Sequence, residues 1–312
     1  MLQRALGRSG LKVSIVGLGC NNFGGRLDAE GTKAVIHAAL DQGITLFDTA
    51  DSYGGKGASE TLMGEILGER RKDIVLATKF GMDVLGTGRS ADGSRRYIMS
   101  AVEASLKRLR TDWIDLYQIH RFDPATPMEE TLRAFDDCVR QGKVRYIGCS
   151  NFDGWQVANA AWTSRTGGYE PFVTAQNEYS LLVRDIEKEL VPSMEHFGLG
   201  LLPFYPLGGG LLTGKYAHGA KPQDARLIKN PQLGNRHLTE RNRAVADALD
   251  AFAKERGHSL LELAFSWLAS KPYVSSVIAG ASRPDQIAAN VKAVSWQLTA
   301  QDLAEIDRIT AG

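Results

Sequence analysis

The chain has 312 residues, 43% of them hydrophobic and 23% charged, enough apolar material for one sizeable core. Its 37 basic and 36 acidic residues leave a formal charge of +1, which excludes the broad basic footprint of a nucleic-acid partner or a membrane surface. The three cysteines, Cys20, Cys138 and Cys149, show no CxxC or His-paired spacing, so they read as reduced thiols and no metal site is expected.

Taken in chain order, the opening stretch MLQRALGRSG lacks an apolar core of signal-peptide length, and no run of about 18 apolar residues follows anywhere. A cytoplasmic location without a membrane partner is therefore expected. Short apolar runs then recur at 15–18, 44–47, 74–77, 114–119, 144–147, 173–175, 199–204 and 274–278. Between them lie segments of helical period, such as Lys33, Val35, Ile36, Ala39 and Leu40, or Ile98, Val102, Leu106 and Leu109. Eight alternating strand and helix units predict an α/β chain, a (β/α)8 TIM barrel forming a single domain over 1–312. GLGCNNFGG after the first run only resembles GxGxxG, which argues against an open dinucleotide-binding sheet.

Three connections are long, 80–96, 121–127 and 207–237, and each follows a predicted strand, so they belong to the C-terminal face of the barrel and shape its mouth. Within the last, 221–234 also fits a disordered surface insertion. After Leu238 two helical pieces broken at Gly257 are expected to pack on the core, with Phe265 and Trp267 as packing residues. The tail begins on a cap, Thr299 three residues before Asp302, and is placed outside the barrel.

The chemistry concentrates at strand ends. GITLFDTADSYGG ends a predicted strand on Asp48 and turns through Gly54 and Gly55, with Tyr53 beside the turn. Lys79 ends IVLATK and His120 ends IDLYQIH in the same manner. Any one of these reads as a polar residue where a loop meets water. An acid, a phenol, an amine and an imidazole converging from three strands make a proton-transfer set. Tyr53 is the candidate acid, because a phenol with a pKa near ~10 is protonated at neutral pH and donates better beside a cation. Lys79 supplies that cation, and Asp48 its counter-charge.

These residues stand in segments that resemble the aldo-keto reductase family: FDTADSYG, ATKFG, DLYQIHR, IGCSNF, QNEYS, PFYPLGGGLLTGKY and GASRPDQIAAN, in family order along nearly the whole chain. The resemblance includes the potassium-channel β-subunit-like branch. It implies a (β/α)8 barrel with a small N-terminal hairpin around 6–13 sealing its floor. It also implies reversible NADPH-dependent reduction of an aldehyde or ketone, with Asp48, Tyr53, Lys79 and His120 as the catalytic set and His120 also orienting the substrate. The cofactor residues it implies are Gly19, Cys20, Asn21, Asp48, Ser150, Asn151, Gln176, Phe204, Tyr205, Pro206, Leu207, Gly209, Lys215, Arg226, Gly280, Ser282, Arg283, Gln286 and Asn290.

Within that set, Ser150, Asn151 and Gln176 correspond to contacts with the nicotinamide carboxamide, although strand-end capping would account for each equally. Phe204 occupies the position of the ring that stacks on the nicotinamide, with Tyr205 as a competitor. Gly208 to Gly210 with Lys215 suit the pyrophosphate. Ser282 and Arg283, just before Pro284, suit the 2′-phosphate of NADP, with Gln286 and Asn290 on the adenosine and Arg226 as a further clamp. Asn21 stands where many members carry a tryptophan, so Asn21, Tyr53, His120 and Arg121 are the substrate candidates, with Met82, Phe122 and Phe23 as apolar lining. Arg121 suits an anionic substrate or a structural ion pair. The oligomeric state, monomer or homo-oligomer, is open. Two other readings remain: a regulatory subunit that senses the nicotinamide cofactor with little turnover, and Schiff-base chemistry at Lys79.

Overall fold

The computed structural model describes residues 1–216, 220, 223 and 225–311. An antiparallel hairpin, β1 (Gln3–Ala5) and β2 (Lys12–Ser14), precedes eight parallel strands: β3 (Val16–Gly19), β4 (Leu46–Asp48), β5 (Val75–Phe80), β6 (Ile114–Ile119), β7 (Val144–Ser150), β8 (Phe172–Gln176), β9 (Gly200–Leu201) and β10 (Val277–Gly280). Their order, β10-β3-β4-β5-β6-β7-β8-β9, is the sequential winding of a (β/α)8 barrel. The ring closes between β9 and β10 through Leu201 N–H on the Tyr273 carbonyl at 2.7 Å and Ile278 N–H on the Pro203 carbonyl at 3.1 Å.

Helices α1 (Ala29–Asp41), α2 (Ala58–Leu67), α3 (Arg95–Leu109), α4 (Met128–Arg140), α5 (Gly154–Gly167) and α6 (Leu190–Phe197) alternate with β3 to β9. Then come α7 (Arg226–Lys229), α8 (Pro231–His237), α9 (Glu240–Glu255) and α10 (Leu260–Ser270) before β10, and α11 (Pro284–Lys292) and α12 (Ala300–Thr310) after it. As expected, the chain breaks at Gly257 (φ 75°), Phe265 and Trp267 are fully buried, and the Thr299–Asp302 capping box starts α12. No helix among the described residues is long and apolar enough to cross a membrane.

Strand bounds differ from the apolar runs where polar chemistry enters the ladder. The run 199–204 keeps only two strand residues, although Leu202 N–H on the Ala175 carbonyl at 2.9 Å and Phe204 N–H on the Asn177 carbonyl at 3.1 Å continue its bonding beyond them. At the other ends, Asp48, Lys79, Ser150 and Gln176 lie within strands rather than after them. The segment 221–234 is not an unstructured insertion where it is described, since α7 and the first turns of α8 occupy 226–234; residues 221, 222 and 224 lie outside the described residues.

The hairpin fills the barrel floor. Leu6 and Val13 join Leu46, Ala77, Leu116, Leu202 and Ile278 in a small core separate from the one between strands and helices. Arg4 fastens it by donating to the carbonyls of Ala269, Lys271 and Val274 at 2.6 to 3.0 Å. With the lower end filled, the barrel opens among the described residues at the carboxyl ends of its strands.

Candidate active site

A cavity of about 840 Å³ opens at those strand ends. Its lining includes Gly19, Asp48, Ser150, Gln176 and Gly280 from the last positions of five strands. The chain leaving β4 runs along β5, with Thr49 N–H on the Ala77 carbonyl at 2.9 Å and Asp51 N–H on the Lys79 carbonyl at 3.0 Å. It then turns through Gly54 and Gly55, both at positive φ. A Cβ on Gly54 would sit 2.5 Å from the Phe23 carbonyl oxygen, so the turn that presents Tyr53 needs glycine there.

Beneath the cavity floor the Lys79 ammonium is fully buried. It donates to Asp48 Oδ2 at 2.7 Å, to the Thr49 carbonyl at 2.9 Å and reaches Tyr53 Oη at 3.4 Å, which uses all three of its protons. Burial pulls the Lys79 pKa down, but the charge of Asp48 and the hydrogen bonds to Asp48 and Tyr53 outweigh it and hold it above the ordinary value. Asp48 is oriented from its other oxygen by Gln176 Nε2 at 2.9 Å and Gln118 Nε2 at 3.4 Å.

Tyr53 departs from the simple expectation of an acidified phenol. Burial raises its pKa above the ordinary value, and the Lys79 ammonium offsets that only in part. The group is a protonated donor, not a latent phenolate. His120 faces it edge-on with ring centroids 5.9 Å apart, and its Nδ1 has no hydrogen-bond partner among the described residues. Burial, then the positive charges of Lys79 and Arg121, bring the His120 pKa down to about 3, so the imidazole is neutral.

The lining also contains Asn21, Asn151, Phe204, Tyr205, Pro206, Leu207, Gly209, Lys215, Arg226, Ser282, Arg283, Gln286, Asn290, Arg121 and Met82 from the sequence-derived set. Cys20 is not among them: its thiol is sealed in the core against the Leu18 carbonyl. Phe23 is fully buried, and Phe122 packs on Phe152 and Trp155 instead of the cavity. Ser150 and Asn151 are tied across strand ends, Ser150 Oγ to the Gln176 carbonyl at 2.9 Å and Asn151 Nδ2 to the His120 carbonyl at 3.0 Å. Asn21 lies toward β10, its side-chain oxygen beside Gly280.

Arg226 covers the Tyr205 ring at 5.1 Å, while Phe204 has no cation over it among the described residues. Gln286 Oε1 accepts from Ser282 N–H at 2.7 Å, and Arg283 forms a two-pronged pair with Asp285. Sequence reasoning passed over Asn22, Arg26, Thr213 and Arg236, all on the lining. Arg26, in a short turn between β3 and α1, carried no motif to mark it; Arg236 is drawn in by Glu178, with which it pairs.

The rim of the cavity is rich in positive charge on one side. Burial first, then repulsion from Arg26, Arg226 and Arg283, lower the Lys215 pKa, so four cations crowd one side of the cavity. Such a cluster fits the phosphates of a dinucleotide. The family model for the aldo/keto reductases matches residues 15–311.

The chain belongs to the aldo/keto reductase family.

It is an oxidoreductase acting on carbonyl or alcohol groups, in a family that uses nicotinamide cofactors. Among its relatives, a probable voltage-gated potassium channel subunit beta of Oryza sativa subsp. japonica is 40% identical over 94% of this chain and 91% of its own length. The L-glyceraldehyde 3-phosphate reductase of Escherichia coli strain K12 is 35% identical over 99% and 92%. An uncharacterized oxidoreductase of Bacillus subtilis strain 168 is 36% identical over 98% and 95%.

Proposed function

We propose that the protein reduces a small aldehyde or ketone with NADPH and that Tyr53 supplies the proton. The observation that carries this reading is the Lys79 ammonium lodged between Asp48 and Tyr53 under a cavity rimmed by cations. When bound, the dihydronicotinamide supplies the hydride that reaches the carbonyl carbon. The residues do the rest. Tyr53 Oη passes its proton to the carbonyl oxygen as charge develops there, and the Lys79 ammonium stabilises the phenolate left behind. Neutral His120 hydrogen-bonds the same oxygen without competing to release a proton. Asp48, held by Gln176 and Gln118, keeps Lys79 pointed at Tyr53.

Ser150, Asn151 and Gln176 would face the carboxamide, and Phe204 is the ring free to stack on the nicotinamide, since Arg226 already covers Tyr205. Lys215, Arg226 and Arg26 would hold the pyrophosphate, and Ser282 and Arg283 the 2′-phosphate, with Gln286 and Asn290 on the adenosine. Arg121 lines the cavity next to His120 and has no ion pair among the described residues, which suits a phosphate or carboxylate on the substrate. The phosphorylated aldehyde in the name of the Escherichia coli relative agrees with that placement.

Tyr53→Phe tests the reading. Reduction is expected to fall by about 10²- to 10⁴-fold while NADPH binding, followed by fluorescence titration, is retained. A wild-type rate in that variant would remove Tyr53 as the donor. The name of the Oryza relative, a potassium channel subunit, is compatible with a second reading, a regulatory subunit that senses the cofactor. Tight NADPH binding with no turnover on a broad aldehyde panel would select it.

A further inference from the structure

The loop that carries Tyr53 holds another carboxyl that the chemistry above leaves unused. Asp51 is 1% exposed, its backbone is hydrogen-bonded to Lys79, and its Oδ1 has no partner among the described residues. Glu60, from the first turn of α2, is buried close enough for the two carboxyls to repel. Glu60 is well served, taking Thr78 Oγ1 at 2.5 Å and Arg108 Nε at 2.7 Å. Asp51 is not. The groups that bear on it are Glu60 from α2, Arg108 and Tyr97 from α3, Lys79 from β5, Tyr117 from β6 and the adjacent Ser52 N–H. The Tyr117 hydroxyl is itself unpartnered among the described residues. Both cations are committed, Arg108 to Glu60 and Lys79 to Asp48. Two ion pairs balance, so an ionised Asp51 would leave one uncompensated negative charge in a buried pocket.

We infer that Asp51 is a positioning residue: it holds its proton at neutral pH, and its ionisation adds a negative charge behind Lys79 that makes Tyr53 a poorer proton donor. The catalytic half rests on Tyr53 being the donor; the protonation half does not. Burial, then the charge of Glu60, push the Asp51 carboxyl up to about 8 against the opposing pull of Arg108 and Lys79. The sign for stability follows. An acid whose folded pKa lies above its ordinary 3.8 binds its proton more tightly in the folded state, so stability falls as pH rises from there to about 8 and levels off beyond.

The test compares wild type with Asp51→Asn, loaded with NADPH, from pH 5.5 to 9.5. Three quantities are followed: thermal midpoint, reduction of propionaldehyde, and the infrared C=O stretch of a protonated carboxyl. The midpoint of wild type should fall relative to the variant up to about pH 8. The ratio of variant to wild-type kcat should rise by roughly threefold across pH 8, the size expected of one partly screened charge. The infrared band of wild type should fade near pH 8 and be missing from Asp51→Asn. Should that variant not fold, Glu60→Gln releases Arg108 toward Asp51, and the fading of the band should move to lower pH by about one unit. Parallel midpoints with no titrating band overturn the inference. So do divergent midpoints with superimposable rate profiles, because Asp51 would then titrate without reaching Tyr53. If wild type reduces no aldehyde at any pH, the proposed reaction fails, while band and midpoints still decide the state of Asp51.

Discussion

At the scale of single residues, the Asp48–Lys79 pair is the group on which the site's electrostatics turn. Lys79→Met strands a buried carboxylate, and urea unfolding is expected to show a loss of about 3–5 kcal/mol. Asp48→Asn combined with Lys79→Met should recover much of that stability but not activity, because both buried charges are gone while Tyr53 has lost its cation. His120 should stay neutral from pH 5 upward, so its imidazole signals by NMR should show no titration above about pH 4, given a pKa near 3. The four residue types were legible in the sequence because Asp48, Lys79 and His120 stand at the ends of recognisable apolar runs and Tyr53 beside the glycine turn that follows one of them. The balance of forces on them was not. Whether Tyr53 ends above or below an ordinary phenol depends on how much water its ring loses against one ammonium 3.4 Å away, and only packing sets the first quantity. For the same reason the amide of Gln176 could be placed near the mouth but not on Asp48.

At the scale of elements, the eight parallel strands and the paired helices after Leu238 followed from periodicity, since an apolar run bounded by turns leaves few alternatives. The weak points were segments whose shape is decided by partners distant in sequence. Strand β9 is regular over only two residues of its apolar run, and α7 with α8 orders a stretch whose composition reads as a loop. The Gly208–Gly210 turn shows why that stretch folds as it does. Gly209 has φ 67°, and a Cβ there would lie 2.6 Å from Leu227 Cδ2 of α7. Gly209→Ala should therefore cost about 1–2 kcal/mol in the thermal transition. It should also weaken NADPH binding more than it lowers kcat, since the displaced α7 carries Arg226. Arg4 is a comparable fastening at the other end of the barrel. Arg4→Ala removes three hydrogen bonds from one guanidinium and should destabilise the fold by about 1–3 kcal/mol, with faster amide exchange in β2.

At the scale of the whole molecule, a nearly neutral chain carries a strongly positive rim on one side of its cavity, so attraction for a polyanion is local and sensitive to salt. The KM for NADPH should climb several-fold between low and high ionic strength while kcat with saturating cofactor changes little. Arg283→Ala should narrow the preference for NADPH over NADH, as judged by kcat/KM with each. The hairpin plug has a kinetic corollary. A vessel stoppered at the base has one doorway, so a large guest lying across the threshold and a small one sharing it cannot come and go independently. Whichever is seated deeper must arrive first and depart last, and product-inhibition patterns should show a compulsory sequence instead of random traffic.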